Sequence, residues 1–143
     1  EKQKWDQILS EAKKKIQPSS PVLIGYDRDT GAVEMAKTNA ARAGQKDTVQ
    51  FEHQAVSFLE PVEKPGWIVT NPPYGVRISE NKDLRDLYAR FGSIIKEKFS
   101  GWNTCILCND DRLISNLYLG DPTKTIRLSN GGIPVKFNIF YHN

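Results

Sequence analysis

The segment Asn71-Pro72-Pro73-Tyr74 directly follows an apolar run, 67–70, that is predicted to be a strand. Ligands of open parallel sheets bind beyond the carboxyl ends of the strands. The two prolines stiffen the loop and remove two backbone donors, which leaves carbonyl oxygens free to accept hydrogen bonds. The side-chain oxygen of Asn71 and the carbonyl of Pro72 are suited to accept the two N–H groups of an exocyclic amine on a base. Tyr74 offers a flat face for stacking on that base, worth roughly 1–3 kcal/mol in single-strand contacts.

Such a loop would promote transfer of a group to nitrogen. An exocyclic amine is a poor nucleophile, because its lone pair is delocalised into the ring. Holding both of its N–H groups orients the lone pair toward the electrophile, and no general base is needed if the proton leaves after transfer. The loop would then act mainly by positioning the reacting atoms. The alternative is an ordinary turn, since Asn-Pro and Pro-Pro are common loop markers; the place after a strand, with an aromatic residue next, favours the chemical interpretation.

A second candidate site lies at Asp27, which ends the apolar run 22–26. An acidic residue at a strand end can accept hydrogen bonds from both ribose hydroxyls of an adenosine-containing cofactor. The alternative for Asp27 is a solvated turn. Asp29, two residues on, or the adjacent Thr30 is expected to cap the N-terminus of the following helix.

The remaining pattern alternates helices and strands. Helical spacing of apolar residues predicts helices, and short apolar runs bounded by Gly, Pro or Asn predict strands. Asn130-Gly131-Gly132 between the last two strands is a hairpin signal. The order indicates an α/β fold with a mostly parallel sheet, covered on both faces, and an antiparallel C-terminal hairpin strand. The predicted helices are Trp5–Ile16, Thr30–Ala43, Leu84–Phe99 and Asp110–Tyr118, and the predicted strands are Val22–Tyr26, Thr48–Phe51, Trp67–Thr70, Thr104–Cys108, Lys124–Leu128 and Val135–Tyr141.

Composition narrows the class of protein. The 143 residues fit one domain, and a net charge of +3 is compatible with a phosphate-rich partner without showing one. The sequence has no run of about 18 apolar residues, so no membrane-spanning helix is predicted. Cys105 and Cys108 lie three apart in a predicted strand, so their side chains point to opposite faces. They are interpreted as reduced structural thiols of a cytoplasmic protein, and no metal site is predicted.

The wider motif, residues 71–77, reads Asn-Pro-Pro-Tyr-Gly-x-Arg and resembles that of RNA methyltransferases that make N2-methylguanosine. It is most similar to the bacterial 23S rRNA guanine-N2-methyltransferases that carry an N-terminal RNA-binding THUMP domain. Residues 25–29, Gly-Tyr-Asp-Arg-Asp, resemble that family's second motif. The resemblance covers nearly the whole chain, and further matches are Ala36, Asn39-Ala40, Ala43-Gly44, Leu128–Gly131, Val135 and Phe140-Tyr141.

This resemblance implies a Rossmann-like class I methyltransferase fold that uses S-adenosylmethionine. Asp27 would bind the ribose hydroxyls, Arg28 and Asp29 would border the adenine pocket, and Asn71 would contribute to both cofactor and substrate. The family usually has an acidic residue where this chain has Ala55, and Gln54 is the expected substitute. The first strand and its glycine-rich loop are not found before Asp27. Residues 1–143 are therefore interpreted as the C-terminal portion of one methyltransferase domain, which on its own would bind the cofactor weakly or not at all.

The resemblance further implies a function: methylation of the N2 amine of a guanine in 23S rRNA, with the base flipped out of its stack. An upstream RNA-binding domain is expected to supply most of the sequence choice. One alternative is a DNA adenine-N6 methyltransferase, which usually needs a target-recognition segment. Another is a non-catalytic RNA-binding module that has lost the cofactor. A nucleotide-dependent dehydrogenase would leave the Asn-Pro-Pro-Tyr loop unexplained.

Overall fold

A computed structural model of the chain describes residues 1–16, 21–62, 65–74 and 81–142, without the side chains of residues 81–83 and 130. The chain divides into two compact units, residues 1–54 and residues 55–143. Gly75 and Arg77 of the sequence motif lie outside the described residues. Among the described helices, none is both long enough and apolar enough to cross a membrane.

The first unit is built from two helices and two parallel strands. Its elements are α1 (Lys2–Lys14), β1 (Leu23–Asp27), α2 (Thr30–Arg42) and β2 (Val49–His53). β1 and β2 pair in parallel, with Leu23 opposite Val49 and Asp27 opposite His53. α2 begins where Asp29 caps it, and its Val33 is buried. The register places the last residues of both strands side by side at the carboxyl edge.

The second unit carries a four-stranded mixed sheet. After a short 3-10 helix, Val56–Phe58, its elements are β3 (Trp67–Thr70), α3 (Asn81–Lys98), β4 (Asn103–Leu107), α4 (Asp111–Ser115), β5 (Lys124–Asn130) and β6 (Ile133–Phe140). The strand order is β3-β4-β6-β5. β3 and β4 are parallel, whereas β6 runs antiparallel to both β4 and β5. The predicted hairpin is confirmed, with Gly131 at φ 58° and Gly132 at φ 83°, a region that favours glycine.

The main apolar cluster lies in the second unit, where α3 and α4 cover the sheet. α3 contributes one face at helical spacing, and β4 contributes Ile106, which is fully buried. Burying one large apolar side chain contributes about 1.5–3 kcal/mol, so this cluster is a main source of the unit's stability. Its members are Leu84, Tyr88, Phe91, Ile95, Ile106, Cys108, Leu113, Ile114, Leu117 and Phe140.

The α/β class predicted from the sequence is confirmed, with parallel strands and an antiparallel C-terminal hairpin. The described strands form two hydrogen-bonded sheets, one in each unit, where the sequence pattern indicated one. An alternation of helices and strands gives the direction of the strands, but it does not give which edges pair. Cys105 is half-buried and Cys108 is buried, and both are free thiols, in agreement with the opposite-face prediction.

Candidate cofactor edge and amine-binding loop

The carboxyl edge of β1 and β2 brings together three residues predicted to bind the cofactor. Asp27 ends β1 and is exposed. Its backbone carbonyl accepts a hydrogen bond from the backbone N–H of Gln54 at 2.8 Å, which fixes the residue after β2 beside it. Arg28 follows Asp27 and is also exposed. The pairing register therefore forms this group from segments more than twenty residues apart.

Two carboxylates follow β1, and they make different contacts. Asp27 Oδ1 accepts the backbone N–H of Asp29 at 2.8 Å. Asp29 Oδ1 accepts the backbone N–H of Ala32 at 2.8 Å, which is the N-cap of α2. The capping role predicted for Asp29 is confirmed, and Asp27 keeps its second oxygen for another donor.

His53 makes a contact at this edge that was not predicted from the sequence. Its Nε2 lies 2.9 Å from the carbonyl oxygen of Arg28. A carbonyl only accepts, so the proton of this hydrogen bond is on Nε2. His53 thus holds the backbone of the loop after Asp27. The contact depends on the parallel register, in which His53 lies beside Asp27, and no signal within either segment specifies that register.

The loop Asn71–Tyr74 leaves the carboxyl end of β3, as the sequence predicts. Asn71 and Pro73 are exposed, whereas Pro72 and Tyr74 are half-buried. Within the part of the chain that the structure describes, no hydrogen bond involves the Asn71 side chain, so its amide oxygen is free to accept. Tyr74 packs against the apolar cluster, which restricts the ring surface it can offer to a base.

The inner side of this loop is held by a tyrosine on α3. The Tyr88 hydroxyl donates to the carbonyl oxygen of Pro73 at 3.5 Å. Tyr88 is 1% exposed, and it lies one helical turn from Leu84 in the apolar cluster. Sequence reasoning placed Tyr88 on the buried face of the helix but did not link its hydroxyl to the loop.

The Cys108 thiol lies on the other side of this hydroxyl, just after β4. Burial first, and then the neighbouring Cys108, raises the pKa of Tyr88 well above its ordinary value, so the hydroxyl stays protonated. Cys108 Sγ accepts the backbone N–H of Asp110 at 3.4 Å, and Asp110 caps α4. Burial raises the pKa of the Cys108 thiol as well. The buried side chains of Tyr88 and Cys108 near the exposed loop are therefore both neutral.

The two groups differ in what they can bind. The β1–β2 edge offers a carboxylate oxygen, suited to hydroxyl donors. The loop offers an amide oxygen and carbonyl oxygens without backbone N–H groups at Pro72 and Pro73, suited to an NH2 group. In the described ranges no three His, Cys, Asp or Glu side chains are close enough together to hold a metal ion.

Comparison with known proteins agrees with these features. The model of the RMKL-like methyltransferase domain family matches residues 1–138. The chain belongs to this family. A curated relative, the ribosomal RNA large subunit methyltransferase K/L of Shewanella sp. (strain W3-18-1), is 34% identical over 140 residues, which are 95% of this chain and 20% of the relative. The RMKL-like domain described here thus spans about a fifth of the length of such curated relatives.

Solved structures share the Rossmann-like methyltransferase fold of this RMKL-like domain. SMU.472 in complex with SAH is 26% identical, with a TM-score of 0.85, over 96% of this chain and 36% of that one. A predicted N6-adenine-specific DNA methylase from Listeria monocytogenes str. 4b F2365 is 27% identical, with a TM-score of 0.70, over 84% of this chain and 30% of that one. The fold predicted from the alternation of elements is therefore confirmed.

Proposed function

We propose that this chain is part of an S-adenosylmethionine-dependent methyltransferase acting on the exocyclic N2 amine of a guanine in 23S rRNA. The observation that carries the proposal is the exposed Asn71-Pro72 pair at the carboxyl end of β3, in a chain of the RMKL-like family. The rRNA methyltransferase relative supports an rRNA substrate, and the likeness to SMU.472 with SAH supports the cofactor. Residues 1–143 would belong to one methyltransferase domain, which acts in the cytoplasm together with an RNA-binding domain elsewhere in the protein.

The residues of the β1–β2 edge fit the adenosine part of the cofactor. The free carboxylate oxygen of Asp27 would accept from the ribose hydroxyls, while Asp29 holds the other oxygen in place. Arg28 and Gln54 would border the adenine. When bound, the cofactor supplies an electrophilic methyl group on a sulfonium.

The loop would hold the amine that receives the methyl group. Asn71 Oδ1 and the Pro72 carbonyl would each accept one N–H of the amine, which points its lone pair away from the loop and toward the methyl carbon. A new N–C bond forms as the S–C bond breaks, and the extra proton on nitrogen then leaves to water. Tyr74 would contact the base with the part of its ring that is not packed on the cluster. Pro73 stiffens the loop between them, so its contribution is positioning.

Replacing Asn71 tests the proposal in the full-length protein. Asn71→Ala should abolish methyl transfer to 23S rRNA while the far-UV circular dichroism and the melting temperature stay unchanged. Asn39→Ala is the matched control, because Asn39 is an exposed asparagine on α2. Mass spectrometry of the rRNA nucleosides identifies the product as N2-methylguanosine. Undiminished turnover by Asn71→Ala would refute the proposal.

A DNA adenine-N6 methyltransferase is the second candidate, favoured by one observation. A solved structure similar to this chain is a predicted N6-adenine-specific DNA methylase from Listeria, and amide and carbonyl acceptors fit the amine of adenine as well as that of guanine. Parallel assays with 23S rRNA and with duplex DNA separate the two. Methylated adenine in DNA, without methylated guanine in rRNA, would select the second candidate. Failure of the full-length protein to bind S-adenosylmethionine in calorimetry would instead favour a non-catalytic RNA-binding module.

A further inference from the structure

The Tyr88 hydroxyl is a polar group in an apolar cluster. Its side chain is 1% exposed, and the neighbours on its helix face include Leu84, Phe91 and Ile95. A buried hydroxyl without a hydrogen bond is unfavourable, because it loses its hydrogen bonds to water and gains none in return. A phenylalanine would fill the same space without that penalty. Two polar neighbours of the hydroxyl explain it: the carbonyl oxygen of Pro73 and the Cys108 side chain.

The loop after β3 needs a donor from elsewhere. Pro72 and Pro73 have no backbone N–H, so a turn that ends at either residue lacks the usual i to i+3 hydrogen bond. Among the described residues, the hydrogen bond from Tyr88 is the one side-chain bond made to a carbonyl of this loop. Asn71 is exposed, and within the described residues its side chain makes no hydrogen bond. The loop is thus held at the Pro73 carbonyl, while the Asn71 side chain stays available to a ligand.

We propose that Tyr88 is a positioning residue for amine transfer: its hydroxyl holds the Pro73 carbonyl inward, so that Asn71 Oδ1 and the Pro72 carbonyl remain directed at the base. This rests on the function proposed above. The 3.5 Å distance is long for an O–H···O bond, which is usually about 2.7–2.8 Å. Hydrogen bonds at catalytic sites are often long without substrate and tighten in the complex, so we expect this bond to shorten when a base occupies the loop.

The other side of the hydroxyl is fixed as well. Cys108 interacts with it from the end of β4, the strand parallel to β3. Cys108 Sγ in turn receives the backbone N–H of Asp110, the N-cap of α4. The Pro73 carbonyl is therefore connected, through Tyr88 and Cys108, to β4 and α4 as well as to α3. A mere packing role for Tyr88 would need none of these polar contacts.

Tyr88→Phe in the full-length protein tests the proposal, because it removes the hydroxyl and keeps the ring. The kcat for methyl transfer to 23S rRNA should fall about tenfold, the effect of losing one aligning hydrogen bond of ordinary strength. The KM for S-adenosylmethionine should stay within about twofold. Ile95→Val is the matched control, since it trims the same helix face without touching the loop and should leave kcat unchanged.

Amide hydrogen exchange supplies a readout that does not depend on turnover. Tyr88→Phe should speed exchange at Asn71 and Tyr74 about tenfold, while the amides of β6 keep their wild-type rates. Ile95→Val should not speed exchange at the loop. Wild-type kcat and wild-type loop exchange in Tyr88→Phe would overturn the proposal.

Asn71→Ala, measured in parallel, separates the two levels of inference. An inactive Asn71→Ala together with a fully active Tyr88→Phe overturns the positioning role and leaves the proposed function intact. A fully active Asn71→Ala overturns both. A fall in kcat for Tyr88→Phe that Ile95→Val reproduces would show that packing, and not the hydroxyl, is responsible, which also overturns the positioning role.

Discussion

The backbone N–H of Asp29 donates to the Oδ1 atom of Asp27 across 2.8 Å, while the side chain of Asp29 is itself bonded to the first turn of α2. Two acidic residues separated by one position thus have different roles at the end of β1. Asp29 begins the helix and orients its neighbour. Asp27 presents the remaining carboxylate oxygen to whatever lies beyond the sheet edge.

We expect Asp27→Asn and Asp29→Asn to differ sharply in cofactor binding. Asparagine at position 29 keeps the capping oxygen, and Asn is among the best N-cap residues. Asparagine at position 27 keeps one oxygen but replaces the free acceptor and the charge, and hydrogen bonds to a charged group are worth about 1.5–3 kcal/mol. Calorimetry on the full-length protein should show S-adenosylmethionine bound roughly ten to a hundred times more weakly by Asp27→Asn and within twofold of wild type by Asp29→Asn.

Asp29→Ala serves as the structural control for that pair. Loss of the cap should lower the free energy of unfolding by about 1 kcal/mol, seen as a lower urea midpoint. Equal weakening of cofactor binding by Asp27→Asn and Asp29→Asn would contradict the division of roles.

The elements of this fold follow from local patterns, whereas the contacts of the site follow from register. Trp67–Thr70 was predicted with both ends as found, because an apolar run bounded by Gly66 and by Asn71-Pro72 leaves little choice. The Asp29 cap was predictable for the same local reason. The contact between His53 and Arg28 depends on how β2 pairs with β1, and nothing within either segment specifies that register.

The same distinction explains why Tyr88 was assigned only to the core. Its spacing with Leu84 and Phe91 predicts a buried helix face, and that prediction is confirmed. Which buried residue reaches the Pro73 carbonyl depends on the position of α3 along the sheet. Helical periodicity specifies the face of a helix but not its position along the axis.

Gly92 is expected to tolerate no side chain, although it lies within α3. A Cβ placed on Gly92 would lie 1.9 Å from the carbonyl oxygen of Leu117, an atom of the backbone. In an exposed helix interior, Gly→Ala is stabilising by about 1 kcal/mol. Here Gly92→Ala should instead destabilise by about 1–3 kcal/mol, as overpacking does, measured by urea unfolding. Arg90→Ala, at an exposed position of the same helix, should change stability little. A stability gain in Gly92→Ala would contradict the close approach of α3 to Leu117.

The buried side chain of Asn138 is expected to stabilise the end of β4 by hydrogen bonds to its carbonyl groups. Its side-chain Nδ2 lies 3.1 Å from the carbonyl oxygen of Cys108 and 3.4 Å from that of Ile106. Asn138→Ala leaves these carbonyls without their side-chain donor in a region that is closed to water, which should lower the free energy of unfolding by about 1–3 kcal/mol. Asn138→Asp should be more damaging at pH 7 than at pH 5, because burial at this position would raise the pKa of the new carboxyl and only its protonated form has a donor for a carbonyl. Similar urea midpoints for wild type and both variants would show that the amide contributes nothing.

The stability of the second unit should fall in alkaline solution. Burial raises the pKa of the Cys108 thiol above its ordinary value of 9.0, and it raises that of the Tyr88 hydroxyl above 10.0. Above those ordinary values the unfolded chain has released protons that the folded chain still holds, so the unfolded state binds fewer protons and stability decreases as the pH rises. Each group can contribute a slope of up to about 1.4 kcal/mol per pH unit. Below pH 8 both groups are protonated in either state, and their contribution is constant.

Urea unfolding between pH 7.5 and pH 10.5 (about three units, chosen to span both ordinary values) measures this slope. Cys108→Ala should reduce the slope from about pH 9 upward without removing it, because burial also raises the pKa of Cys105 in β4. Tyr88→Phe should reduce the slope only from about pH 10 upward, because a phenyl ring has no proton to lose. A wild-type curve that stays level to pH 10.5 would mean that Cys108 and Tyr88 release their protons as readily in the folded unit as in the unfolded chain. That result would contradict the burial of these two groups.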